Sequence, residues 1–359
     1  MNKQYDLAVY IGRFQPLHLG HMHTIKRGQQ IAERVLVLMG DTGGSRSIKN
    51  PWTFYERATM LKKSLPVATG YVADDIPPQI LIDSITDVPY NNQLWIANVQ
   101  AVVNKHAKAV GAKNIVLIGH EKDGSSFYLK FFPQWKFVDT GYEELEGQFE
   151  RSVDATKLRE FIFEGHIQYT VGNLGREVRE HILWLQGENP EIFEDLKYEY
   201  EAIKKYRASW ASAPFPPIFV TTDAVVIQSG HVLLIERGQR PGKGLLALPG
   251  GFLDQTESIE DCAIRELIEE TQIKLQPEVL RRCITHVEVF DRAGGVSSAD
   301  RGRIITHVHL FKLQDSKDLP PVKGADDAVK AMWVPLSEID PRKMFSDHHA
   351  ILQATLGKL

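Results

Sequence analysis

Cysteine is scarce: Cys262 and Cys283 are the only two among 359 residues, and neither sits in a CxxC pair. A disulfide framework and a cysteine-ligated zinc site are therefore not expected, and a reducing cytoplasm fits best. No apolar stretch approaches the roughly 18–20 residues that span a bilayer, so no membrane partner is expected. The opening residues MNKQYDLAVYIGRF show no signal-peptide pattern, because their apolar run is short and leads straight into a motif. A basic excess is also missing: 42 Lys and Arg stand against 46 Asp and Glu, a net charge of -4. General nucleic-acid binders usually carry the opposite imbalance, so no nucleic-acid partner is expected, while local basic pockets for phosphate remain allowed. Internal repeats and low-complexity tracts are absent.

What is present is an ordinary globular composition, 43% hydrophobic and 25% charged, at a length that suits two domains of about 100–200 residues each. Leu7–Ile11 is a short apolar run that stops at Gly12, His21–Glu33 reads as a helix, and Val35–Gly40 reads as the next buried strand. That spacing predicts parallel strands joined by a right-handed crossover. Ile115–Gly119 and Phe137–Asp139 add strands, and Lys157–Glu164 is a helix stopped by Gly165. The first domain is thus predicted as a doubly wound α/β fold, residues 1–187. Residues 188–216 read as a helical, charged linker that ends in the proline-rich Ala213–Pro217. Residues 217–359 form the second domain. Here Val220–Gln228 and His231–Arg237 flank a Ser229-Gly230 turn as a hairpin. The helix Ile259–Thr271 and the strands Ile304–Leu313 and Ala331–Val334 complete a mixed α/β pattern.

Gly12-Arg13-Phe14-Gln15-Pro16-Leu17-His18-Leu19-Gly20-His21 follows the first strand and opens a helix. A helix start offers bare N–H groups and the positive end of its dipole, which favour phosphate. Gly20 allows close approach of the backbone, and His18 and His21 add donors that titrate near neutrality. The segment resembles the (H/T)xGH signature of the nucleotidyltransferase superfamily, and its longer form GRFQPLHLGH is similar to that of archaeal-type nicotinamide mononucleotide (NMN) adenylyltransferases. Asn50–Arg57 resembles that family's NPFTxxER stretch, and Val153–Arg159 resembles its second signature, ISxTxxR, with Asp154 where Ser is usual. Residues Asp87 to Trp95 are similar to the segment whose Trp stacks on the nicotinamide ring.

The resemblance implies transfer of AMP from ATP to NMN, giving NAD and pyrophosphate. Such a reaction joins two anions without a covalent enzyme intermediate, so positioning and charge stabilisation dominate. Arg13, Arg57, Arg159, His18 and His21 supply cationic groups. Gly12, Phe14, Gln15, Gly20 and Asp87 fall in or beside the motifs that would hold ATP and NMN. Thr156 opens a second helix that can hold the outer phosphates. Trp95 either offers its π-face to a cationic pyridinium or is a plain core aromatic. Gly119, His120, Lys122 and Asp123 fall at the edge where such sheets bind ligands, either as contacts to the nucleotide or as surface polar residues.

Gly251 is followed after five residues by Glu257, and after seven more by Arg265-Glu266-Leu267-Ile268-Glu269-Glu270-Thr271-Gln272-Ile273. Glu266, Glu269 and Glu270 share one helix face at i, i+3 and i+4. Clustered carboxylates repel unless a cation sits among them, and oxygen donors suit Mg²⁺ or Mn²⁺. Ser258 and Asp261 make a capping pair at the helix start. The stretch resembles the Nudix box, GX5EX7REUXEEXGU, with Gln272 in place of the Gly that ends the helix left-handed. The resemblance implies Glu266, Glu269 and Glu270 as metal ligands, with Glu269 and Glu270 catalytic, and Glu257–Arg265 as a supporting ion pair. Gly250 and Gly251 would shape the substrate loop. Arg292, Arg301 and Arg303 fall in segments that resemble one in ADP-ribose pyrophosphatases, where arginines could hold the second phosphate or ribose; they read equally as solvated loop charges. The expected ligands are ATP, NMN, NAD and ADP-ribose with Mg²⁺, Mn²⁺ being the alternative. A rival reading makes the second domain a non-catalytic ADP-ribose sensor or a hydrolase of another nucleoside diphosphate. Homo-oligomerisation is left open.

Overall fold

The computed structural model describes residues 3–40, 43–65, 79–120, 129–141, 153–291 and 301–359. The chain forms two compact units, residues 1–197 and 198–359. Among the described residues no helix is long and apolar enough to cross a membrane.

In the first unit the leading apolar runs become central strands. β1 (Tyr5–Gly12) pairs in parallel with β2 (Ala32–Gly40), and α1 (Leu19–Ile31) connects them. The predicted helix extended to Glu33; it ends at Ile31 because Ala32 is already paired with Tyr5 in the sheet, and strand pairing overrides local helix propensity. β3 (Ile80–Ile85), β4 (Ile115–Gly119) and β5 (Lys136–Asp139) complete a fully parallel sheet in the order β3-β2-β1-β4-β5. The chain winds outward from β1 to β3 and then resumes on the other side at β4. The switch point lies between β1 and β4, where sheets of this kind bind ligands beyond the carboxyl ends. Four helices, α2 (Phe54–Ser64), α3 (Asn92–Val110), α4 (Ala155–Phe163) and α5 (Arg176–Glu188), accompany it. Val99 and Val103 of α3 pack on Leu7, Val9, Leu36 and Leu117 in the core. β1 and β2 are buried along most of their length, which explains their unbroken apolar sequence.

Helix α6 (Pro190–Ser209) carries the chain from one unit to the next. In the second unit, β6 (Ile218–Gln228) and β7 (His231–Arg237) form the predicted hairpin. Ser229 and Gly230 both take positive φ, 48° and 72°, as a two-residue turn of matching twist requires. After β8 (Leu246–Ala247) and β9 (Gly250–Phe252) come α7 (Ile259–Thr271), α8 (Pro277–Cys283), β10 (Ile284–Asp291), β11 (Arg303–Lys312), β12 (Ala328–Pro335) and α9 (His348–Leu356). The seven strands make a mixed sheet in the order β10-β11-β6-β7-β12, with β8 against β7 and β9 against β6. β11 and β6 run parallel and the other pairs antiparallel. Helix α7 lays Ala263, Ile264 and Leu267 on Ala224, Val226, Leu233 and Phe311. Full burial of a residue such as Leu267 is worth about 1.5–3 kcal/mol, and it fixes which side of α7 is left for the carboxylates.

Candidate active sites

The first site starts where β1 ends. His18 caps α1, and the two histidines cap each other: the His18 backbone N–H donates to Nδ1 of His21 (3.2 Å), and the His21 N–H donates to Nδ1 of His18 (3.4 Å). Their rings stack, with centroids 3.6 Å apart and planes 22° off parallel. Because each Nδ1 accepts, the neutral rings carry their proton on Nε2. Gly20 leaves room for the stack, since a Cβ there would lie a tight 3.2 Å from the His18 ring. The first turn of α1 contains no acidic residue to compete with an anion. Phe14, held at φ 53°, packs on the His21 ring at 4.6 Å.

Arginines surround this turn at different depths. Arg13, just past Gly12, donates to Asp87 (3.0 Å). Arg159 of α4 reaches back to the Gln15 carbonyl (2.8 Å) and to the Thr156 hydroxyl (3.2 Å). Asp154, the residue that departs from the expected Ser, is the N-cap of α4 and accepts from the Thr156 N–H at 2.8 Å. Arg57 is fully buried; it donates to the carbonyls of Gly40 (2.9 Å), Thr53 (3.3 Å) and Arg13. It thereby ties the carboxyl ends of β1 and β2 to the start of α2. Gln15 is also buried, gripping the Trp52 peptide with Nε2 to the carbonyl (2.8 Å) and Oε1 from the N–H (3.1 Å). Gly119 ends β4, and His120 beyond it bonds Asp139 through Nδ1 (3.0 Å). Trp95, on α3, is half-buried and packs against the core, its ring centroid 6.0 Å from that of Phe132. Lys122 and Asp123 lie outside the described residues.

The second site is acidic. Ser258 caps α7, accepting from the Asp261 N–H at 3.1 Å and donating to its carboxylate at 2.6 Å. Arg265 clamps Glu257 with two bonds, 2.9 and 2.7 Å, and reaches Glu266 (2.8 Å) and Glu269 (2.9 Å) with its remaining nitrogen. The Arg265 guanidinium draws the Glu257 carboxyl down to about 2. Glu270 is buried and accepts from the Gly250 N–H at 2.9 Å. Burial, reinforced by the Glu266 and Asp223 carboxylates, pushes its carboxyl up to about 8. Burial raises Glu266 as well.

Adjacent glycines serve this cluster differently. A Cβ at Gly250 would meet the Thr222 carbonyl at 2.1 Å, and one at Gly251 would meet the Glu266 carboxylate at 2.3 Å. Gln272, in place of the expected Gly, takes the left-handed conformation itself, φ 45° and ψ 34°, so α7 ends as a glycine would end it. A non-Gly residue there costs about 1–2 kcal/mol. Arg303 pairs with Asp291 (2.7 Å), and Arg301 lies over aromatic rings. Arg292 lies outside the described residues.

Three residues at this site escaped sequence reasoning. Asp223 and Arg237 both act electrostatically on Glu270, and Asp326, at φ 51°, acts on Glu266. Asp223 had left a trace: a carboxylate inside an apolar strand rarely sits there without a partner or a function.

Among the described residues no group of three His, Cys, Asp or Glu side chains closes a metal shell by itself. The donors nonetheless suit a hard divalent cation. Oxygen ligands predominate, two carboxylates are held where ionisation is opposed, and Mg²⁺ commonly completes its shell with water and substrate phosphate oxygens.

The family model described as cytidylyltransferase-like matches residues 9–133, and that described as NUDIX domain matches residues 217–355. The structure is similar to that of a bifunctional NMN adenylyltransferase/ADP ribose pyrophosphatase from Francisella tularensis, complexed with AMP and a manganese ion. The TM-score is 0.84 at 32% identity, covering 99% of each chain. The chain belongs to this bifunctional family. Each half of the family's architecture also has relatives of its own. A nicotinamide/nicotinic acid mononucleotide adenylyltransferase of Acinetobacter baylyi is 38% identical over 164 residues, 46% of this chain and 79% of the relative. An ADP-ribose pyrophosphatase of Methanocaldococcus jannaschii is 30% identical over 154 residues, 42% of this chain and 77% of the relative.

Proposed function

We propose that the first unit transfers AMP from ATP to NMN, giving NAD and pyrophosphate, and that the second hydrolyses ADP-ribose to AMP and ribose 5-phosphate with Mg²⁺. The observation that carries the reading is the coexistence, in one chain of this family, of a cation-lined helix start at a sheet switch point and a complete Nudix carboxylate set.

In the transfer step a phosphate oxygen of NMN bonds to the α-phosphorus of ATP while the bond to the bridging oxygen of pyrophosphate breaks. Nothing covalent passes through the protein. His18 and His21 present Nε2–H donors at the start of α1, and Arg13 and Arg159 bring charge to the same turn. Asp154 and Thr156 open α4 toward the outer phosphates. Arg57 and Gln15 act from beneath, by fixing the loop between β1 and α1. Trp95 takes the nicotinamide ring, an attraction of about 0.5–2 kcal/mol for a cationic pyridinium.

In the hydrolase, Glu266, Glu269 and Glu270 would hold Mg²⁺, which supplies neutralisation of the diphosphate and activation of water. Arg265 orients Glu266 and Glu269, and the Gly250 N–H orients Glu270. Gly250-Gly251 lets the loop close on these carboxylates. The left-handed Gln272 favours hydrolysis over a sensor role, because the helix end that aims Glu269 and Glu270 is retained. Phosphorus NMR of ADP-ribose with the purified protein and Mg²⁺, beside Glu269→Gln, tests this half. The expected result is AMP and ribose 5-phosphate from the wild type alone. Binding without conversion would make the second unit a sensor. Incubation with ATP and NMN, followed by detection of NAD, tests the other half.

A further inference from the structure

The residues beyond Lys197 in helix α6 belong to the second unit, and they bring aromatic rings to its candidate substrate loop. Arg301 lies over two rings, 5.1 Å from the centroid of Phe252 and 5.8 Å from that of Tyr206. Phe219 braces both, at 5.7 Å from Phe252 and 5.9 Å from Tyr206, and Trp210 packs edge-on against Phe219 at 5.5 Å. The chain beside Arg301 is seated closely, since a Cβ on Gly302 would lie 3.0 Å from the Phe219 ring. Phe252 directly follows Gly251, and its carbonyl accepts from Arg265 at 3.3 Å. The arginine and the Nudix carboxylates are thus referred to one short strand, β9.

We propose that Tyr206, together with Phe252, is a positioning residue for Arg301 in the ADP-ribose site, so that the hydrolase site includes the C-terminal part of α6. The proposal rests on the reading of Arg301 as a group that binds the phosphate or ribose of ADP-ribose. An arginine side chain carries much rotamer entropy, and ordering it before the substrate arrives improves binding. Ring faces order a guanidinium well, because stacking engages its faces and keeps the in-plane N–H fork for acceptors. Tyr206 and Phe252 come from different elements, helix α6 and strand β9, and so restrict Arg301 from two supports.

The test is steady-state hydrolysis of ADP-ribose by the full-length protein with Mg²⁺, comparing wild type, Tyr206→Leu, Tyr206→Phe, Arg301→Gln and the Tyr206→Leu/Arg301→Gln double variant. Titration calorimetry with ADP-ribose in EDTA, without Mg²⁺ and so without turnover, gives Kd for the same set, and melting gives Tm. Tyr206→Leu is expected to raise KM and Kd about three- to tenfold, within the roughly two- to thirtyfold range of one cation–π contact, with kcat and Tm unchanged. Tyr206→Phe keeps the ring and restores the wild-type value. In the Arg301→Gln background Tyr206→Leu has no further effect. Three results overturn the positioning role: an unchanged KM and Kd in Tyr206→Leu while Arg301→Gln raises them, an equal effect of Tyr206→Leu in both backgrounds, or a loss of Tm alone. An Arg301→Gln variant that binds ADP-ribose normally overturns the underlying reading of Arg301, and the proposal with it.

Discussion

Both units handle polyphosphates, yet they are built with opposite charge. The first surrounds its helix start with Arg13, Arg159 and two histidines and keeps the first turn of α1 free of acids. The second gathers Glu266, Glu269, Glu270, Asp223 and Asp326 around a glycine loop and neutralises them only in part with Arg265 and Arg237. The contrast follows from the reactions. In adenylyl transfer the nucleophile is itself a phosphate, so the protein has only to hold two anions together, and fixed cations and dipoles do that. In hydrolysis the nucleophile is water, which needs activation, and a cage of carboxylates is what retains an activating divalent cation.

The largest expected effect separates the two. Arg159→Ala removes a charge aimed at the first site and should lower NAD formation about a hundredfold or more, leaving ADP-ribose hydrolysis unchanged. Glu270→Gln should do the reverse, with a similar loss in hydrolysis. Assaying both reactions in both variants decides the matter, and equal loss of the two activities in either variant would break the comparison.

Arg57 divides from Arg159 on depth. Arg57→Ala would leave the carbonyls of Gly40 and Arg13 without their buried donor, at a cost of about 2–4 kcal/mol. The first unit should then melt roughly 5–15 °C lower, and NAD formation should fall with it. A variant with wild-type Tm but no transferase activity would show that Arg57 acts on the ligand and not on the loop.

Sequence could not distinguish these two arginines, because both stand in motifs and differ only in what surrounds them. What was legible followed from buried, regular features. β1, β2 and β4 are apolar runs because both of their faces are covered, and the β6–β7 hairpin announced itself through Ser229-Gly230. The Nudix carboxylates were legible because helical spacing alone puts them on one face. β3 and β10, by contrast, are edge strands whose sequences ILIDSI and ITHVEVFD mix polar residues with apolar ones. Asp223, Arg237 and Asp326 come from two strands and a loop outside the box, and only the fold brings their charges to it. The segment read as a linker behaved similarly: nothing in Tyr206 itself says that it meets Arg301.

The adjacent glycines sharpen the comparison within the second unit. At Gly250 a new Cβ meets backbone, the Thr222 carbonyl, which has no way to yield, so Gly250→Ala should lower the Tm of this unit. At Gly251 it meets the tip of the Glu266 side chain, which can swing aside. Gly251→Ala should therefore keep its Tm and lose hydrolysis, by roughly 10–100-fold, as a displaced ligand would. Identical Tm losses in the two variants would mean that Glu266 is as rigidly held as backbone.

The smallest effect concerns Glu257. Its folded carboxyl lies at about 2, below the ordinary 4.5, chiefly because Arg265 bonds to the ionised form. A depressed carboxyl contributes stability above the unfolded value and loses it as pH falls toward the folded one. Glu257→Gln should therefore be less stable than wild type at neutral pH, and the gap should close between pH 4.5 and about 2. Urea melts of the two proteins at stepped pH measure it. A gap that stayed constant down to pH 2 would mean that the amide fails by shape and not by charge. The charge of Glu257 would then not be what anchors Arg265, and its bonds to Glu266 and Glu269, the proposed metal ligands, would carry that role.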